Sequence, residues 1–118
     1  MTEPFRAAAV IVVNANKRLK MTEKLTGEAR KAALARVKDW SEVKGRDAIT
    51  RKFEFKDFRH AFSFMAEVAD VADDMDHHPE WFNVYNKVEV TLSTHDAGGL
   101  TEQDIELAEA VDRLAKEA

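Results

Sequence analysis

The stretch WFNVYNKVEVTL, residues 81–92, decides how this chain folds. It is rich in aromatic and β-branched residues and lacks glycine and proline, so it reads as strand throughout. As one straight strand it would run about 40 Å at roughly 3.3 Å per residue, placing His78 and His95 at opposite ends. A hairpin turning at Asn86-Lys87 folds it back and returns both histidines to the same edge. In that register Tyr85 faces Val88 and Trp81 lies near Leu92, an antiparallel pair with bulky cross-strand contacts.

Working outward, WSEVKGRDAITRKFEF (residues 40–55) adds two shorter strands around Lys44-Gly45-Arg46-Asp47. Ile49, Arg51, Phe53 and Phe55 share one phase, and Thr50, Lys52 and Glu54 the other. Arg51 is the exception on an apolar face and is expected at an exposed edge or in a partner contact. Asp57 opens the most regular helix. Phe58, Phe62, Met65, Ala66, Ala69 and Ala72 recur at spacings near three and four and read as its core face, with His60 as a solvated residue. Pro79 prevents the helix from continuing, so His77 and His78 fall at its exit.

An earlier helix starts after Thr26, with Ala29, Ala33, Leu34 and Val37 as its apolar stripe and Trp40 as an anchor. A final helix opens at Thr101, with Asp104 as a capping-box-like acid and Ile105, Ala108, Val111 and Leu114 as the packed edge. The sum is an α+β unit, a four-stranded antiparallel sheet with three helices packed on one face. Its edge strands and second face need cover, so self-association is expected.

A chain of 118 residues with 45% apolar composition suits one core. That core is assigned to residues 22–118, with residues 1–21 as an extension. The apolar run at residues 7–13 is far too short to span a bilayer as a helix and has no clear cleavage site after it. The extension is expected to be an ordered, non-catalytic segment, an added strand or a partner contact. A net charge of -4 lacks the basic excess that phosphate-backbone binding requires, so no direct nucleic-acid ligand and no membrane partner are expected. The absence of cysteine excludes disulfides, thiolate catalysis and sulfur-ligated metals, and fits a reducing, cytoplasmic setting.

Chemistry concentrates in Asp73, Asp76, His77, His78 and, across the hairpin, His95. Three of the chain's four histidines are in this group. Histidine suits proton transfer near neutral pH, and two of them on separate segments can serve opposite sides of one planar substrate. His77 and His78, being adjacent, point in different directions and are unsuited to identical jobs. From the residues alone three readings stay open: a polar cap at a helix exit, a mononuclear metal site, and metal-free acid-base chemistry.

From Asp73 the chain reads D-x-x-x-H-H-P, followed after five residues by Tyr85, after nine more by His95 and after eight more by Asp104. This resembles the signature of the pterin-4a-carbinolamine dehydratases, whose animal members are also called dimerisation cofactors of a homeodomain transcription factor. The likeness runs from near Trp40 through GRDAITRKFEFKDFRHAFSFMAEVA to the final helix, with Asp73 where many relatives have glutamate. The resemblance implies conversion of 4a-hydroxytetrahydropterin to quinonoid dihydropterin and water, without cofactor or metal. It implies His77 and His95 as the acid-base pair, His78 as the residue that binds and orients the ring, and Asp73 and Asp76 as supporting acids. Pro79 and Trp81 would shape the pocket wall, and Tyr85 would pack across the hairpin. Asp104 would orient a histidine or a pocket segment, beside its plainer reading as a helix stabiliser. It further implies a functional link to aromatic amino acid hydroxylases, a homo-oligomer (dimer or tetramer), and a second role as a dimerisation cofactor, which would allow nuclear presence.

Overall fold

In the strands Ile49–Glu54 and Lys87–Leu92 the buried positions recur at every second residue or at multiples of two, and this alternation builds the architecture. In the computed structural model, which describes residues 22–118, the order is α1 (Gly27–Ala35), β1 (Ser41–Glu42), β2 (Ile49–Glu54), α2 (Phe58–Met75), β3 (Glu80–Val84), β4 (Lys87–Leu92), a 3-10 turn (His95–Ala97) and α3 (Glu102–Glu117). The expectations for residues 1–21 lie outside the described residues. The sheet is antiparallel throughout, in the order β1-β2-β4-β3, so β3 is an edge. Ile49 and Phe53 of β2 and Val88, Val90 and Leu92 of β4 point into the core. There they meet Phe64 and Val68 of α2, Ile105, Leu107 and Val111 of α3, and Ala33 and Val37 from the α1 region. The fold is the expected α+β sheet with three helices on one face.

Four details differ from the sequence reading. The hairpin turns at Tyr85-Asn86, one residue early, so Trp81 pairs with Val90 instead of Leu92. Tyr85 adopts φ 50, and the Asn83 amide donates to the carbonyls of Tyr85 and Lys87, closing the turn at 3.1 and 2.8 Å. A slip of two partners keeps every side chain on its intended face, which is why the pattern alone could not detect it. Tyr85 consequently sits in the turn, exposed, and its ring does not pack across the hairpin.

The second difference is in α2. Phe58 and Phe62 are 49% and 58% exposed, and the buried stripe is Ala61, Phe64, Val68 and Ala72. This helix carries two apolar stripes of nearly the same period. The one that packs is the one whose Phe64 sits among Phe53 and Phe55, with ring centroids 5.3 and 4.7 Å away.

Arg51 is the third: it pairs with Val90 of β4, beyond the two-residue pairing with β1, and its side chain is half-buried. Its guanidinium passes over the Phe53 ring and reaches Asp112 of α3 at 2.8 Å, where the Trp40 indole N–H also donates. Last, Ala29 of the expected α1 stripe is exposed, while Ala33 and Val37 are buried.

Candidate active site

The site is assembled where α2 ends, β3 begins and the loop after β4 turns into α3. At the exit of α2, Asp76 takes a left-handed conformation (φ 51) and the His77 N–H returns to the Ala72 carbonyl at 3.0 Å. This cap reverses the chain and turns the His77 side chain inward, where it is buried. Asp76 itself is exposed, at the residue where the chain makes this turn.

His77 meets Asp104 in the first turn of α3. The Asp104 side chain is 0% exposed, and its Oδ1 lies 2.5 Å from His77 Nε2. Its Oδ2 accepts the Thr94 hydroxyl at 2.7 Å and the Thr101 backbone N–H at 2.9 Å, and the two threonine hydroxyls bond each other at 2.8 Å. The bond from Thr101 is the carboxylate arm of the expected capping box, so Asp104 caps its helix and holds a histidine at once. A buried carboxylate needs such partners, and the positive end of α3 favours it further. A carboxylate only accepts, so with Asp104 ionised Nε2 of His77 carries a proton, and Nδ1 is the nitrogen left for a ligand.

The other two histidines are open to solvent. His78 Nε2 lies 2.9 Å from Asp73 Oδ1, with both side chains exposed. Aspartate thus still reaches the histidine despite being shorter than the more usual glutamate. His95 opens the 3-10 turn next to Thr94, and its side chain is 84% exposed. Its Nε2 stands 3.7 Å from Glu80 Oε2. Thus each of these three histidines presents Nε2 to a carboxylate, in three different degrees of burial. Pro79 is half-buried, and Trp81, also half-buried, packs against the core on the inner side of β3. Among the described residues, no three His, Cys, Asp or Glu side chains are gathered as metal ligands are. Nor is any helix among them long and apolar enough to cross a membrane.

Sequence reasoning missed four residues that organise this region: Arg46, Asp47, Glu80 and Thr94. Arg46 grips Glu80 through its two terminal guanidinium nitrogens at 2.9 and 2.8 Å, and this hydrogen bonding holds the Glu80 carboxyl below its ordinary value. Asp47 Oδ1 accepts from Arg30 at 2.8 Å, and Oδ2 accepts the Leu100 N–H at 3.2 Å. The Asp47 carbonyl accepts the Ser93 hydroxyl at 2.9 Å. Burial alone would raise the Asp47 carboxyl, but the Arg30 and Leu100 bonds outweigh it and the net shift is downward. Gly99 lies so close that a Cβ there would collide with Asp47 Oδ2. Pairs separated by 34 or 53 residues leave no local signal in a sequence; only the Asp47-Gly99 approach had a trace, in the glycine pair of the loop.

Residues 23–114 match the family model of pterin 4 alpha carbinolamine dehydratase. The chain belongs to that family. Membership assigns it the family's general activity, dehydration of a pterin carbinolamine. A protein of Bradyrhizobium diazoefficiens provisionally assigned that activity is 64% identical over 81% of this chain and 96% of its own. A Burkholderia multivorans protein assigned likewise is 61% identical over 83% and 96%. Among solved structures, a transcriptional coactivator/pterin dehydratase of Brucella melitensis is 50% identical, covers 79% of this chain and 99% of its own, and superposes with a TM-score of 0.75. A pterin dehydratase-like protein described as a RuBisCO assembly factor in the alpha-carboxysome shares the fold alone, at 23% identity over 65% of this chain and 89% of its own, with a TM-score of 0.57.

Proposed function

We propose that this family member converts 4a-hydroxytetrahydropterin, such as 4a-hydroxytetrahydrobiopterin, to quinonoid dihydropterin and water by histidine general acid-base catalysis, and so supports tetrahydrobiopterin regeneration. The observation that carries the reading is the buried His77-Asp104 pair, which leaves one imidazole nitrogen for substrate, with the exposed His95 next in the chain to Thr94, whose hydroxyl bonds the same carboxylate.

In the reaction a general acid protonates the C4a hydroxyl as the C–O bond breaks. The N5 lone pair forms the C4a=N5 bond, and a base takes the N5 proton. Water leaves and no electrons are exchanged, so the chemistry needs no redox partner. His77 and His95 are the two proton-transferring groups, while His78, steadied by Asp73, binds and orients the ring. Pro79 and Trp81 shape the wall. Acid-base assistance of this kind contributes about 10²- to 10⁴-fold, a useful gain for a substrate that already dehydrates slowly unaided.

The substrate's source is an aromatic amino acid hydroxylase, and the setting is cytoplasmic. The protein works as a homo-oligomer; supporting this are exposed Phe58 and Phe62, 5.9 Å apart on α2, and Phe82, Val84 and Tyr85 at the open β3 edge. The same surfaces favour a second role as a protein-dimerisation cofactor, alongside catalysis; the Brucella relative is itself described as a transcriptional coactivator/pterin dehydratase.

The test follows the decay of 4a-hydroxytetrahydropterin, generated by a coupled hydroxylase, under a chelator. Wild type should accelerate it, with His77→Ala and His95→Ala, folded by circular dichroism, losing about 10²-fold or more in kcat, and His78→Ala losing mainly in KM. A folded wild type that leaves the spontaneous rate unchanged overturns the reading in favour of the assembly role.

A further inference from the structure

Residues 44–47, between β1 and β2, contain no group that transfers a proton in the proposed reaction, yet they brace the His95 loop from two sides. On one side Asp47 holds Leu100 N and Ser93 Oγ, which flank residues 94–99. On the other, Arg46 spans the sheet end to Glu80, the first residue of β3. Glu80 follows His78 by two residues and turns its Oε2 toward His95 Nε2.

We infer that Glu80, clamped by Arg46, is the positioning residue that holds His95 for proton transfer. The inference rests on the dehydratase reading above. Three physical points support it. An ionised carboxylate offers about four lone-pair sites and the Arg46 fork uses two, so Oε2 retains acceptor capacity for an imidazole N–H. Arg46 favours the anionic form of Glu80, since its hydrogen bonds hold the carboxyl below the ordinary value. The 3.7 Å gap is longer than a hydrogen bond, but the His95 side chain is almost wholly exposed, so a shift of under about 1 Å closes it without repacking. Once closed, Glu80 accepts from Nε2–H of His95 and directs Nδ1 outward, as Asp104 does for His77; of the two outward Nδ1 atoms, the one that carries a proton serves as the general acid and the bare one as the base. A merely structural Arg46-Glu80 pair would tie the loop to β3 but leave His95 unconstrained.

A double-mutant cycle separates these roles. Glu80→Gln keeps the side-chain shape and should lower kcat about tenfold or more with KM changed less than about twofold, while the urea midpoint stays close to wild type. Glu80→Asp should recover part of the loss. In a His95→Ala background, Glu80→Gln should cost nothing further, because its effect passes through the missing imidazole. Additive losses in the double variant, or an active Glu80→Gln with normal kcat, overturn the inference while leaving the dehydratase reading intact. A wild type that does not accelerate dehydration overturns both.

Discussion

The two histidine-carboxylate pairs at His77-Asp104 and His95-Glu80 pose the same chemistry in opposite environments. The first is sealed at the start of α3 at 2.5 Å, with Asp104 accepting from His77, Thr94 and Thr101. The second lies in solvent at 3.7 Å, with its carboxylate shared with an arginine. A buried pair is costly to break because its remaining donors lose both their partner and water; an exposed pair is cheap to break and screened by salt. One end of the site is therefore built as a fixed point and the other as an adjustable arm. That division suits a reaction in which one group must hold its place while the second follows a proton on a different ring atom.

The comparison breaks most visibly by removing each carboxylate in turn. Asp104→Ala should destabilise the fold by about 3–5 kcal/mol, because it strands buried donors. Glu80→Ala should stay within about 0.5–1 kcal/mol. Urea unfolding of both variants checks this, and equal losses would show that the two pairs are energetically alike.

A smaller effect probes how the adjustable arm is tethered. Gly99→Ala drives a Cβ into Asp47 Oδ2 and should cost about 1–3 kcal/mol, as overpacking does. Gly98→Ala meets open space and faces only its backbone strain at φ 75, about 1 kcal/mol. Calorimetric melting of the two variants ranks them. A Gly98→Ala loss as large as that at Gly99 would show that loop conformation, and not the Asp47 brace, limits this region.

The smallest effect is in pH and salt. The folded-state carboxyls of Glu80 and Asp47 are lowered, so their contribution to stability is present above the ordinary carboxylate range and fades as pH falls through the lowered values. Stability should therefore decline below about pH 4, and Glu80→Gln should make that decline slightly shallower. In 1 M salt the Glu80 difference should nearly vanish, whereas the Asp104 difference persists. Denaturant midpoints measured across pH and ionic strength distinguish the two.

How far the site was legible follows from the range of each interaction. The histidines, Asp73 and Asp104 stand in one spaced pattern, and Asp104 additionally carries a local capping signal from Thr101, so both were readable. Glu80 and Arg46 are ordinary surface residues by any local criterion. Their pairing depends on the sheet topology, which puts the β1-β2 loop and the start of β3 at one end of the sheet, on either side of β4. The same limit explains α2, where stripes containing Phe62 or Phe64 satisfy the same periodicity, and only packing against Phe53 and Phe55 selects one.

The sequence by itself determined the kinds of element, the faces of the strands and the chemical groups available, because period-two and near-period-four patterns, proline stops and caps act over a few residues. The tertiary structure alone decided the hairpin register, the buried stripe of α2, the sealed pairing of His77 with Asp104 and the Arg46-Glu80-His95 chain. These depend on which distant segments become neighbours and on which side chains lose their water, and neither is written in any local stretch of the chain.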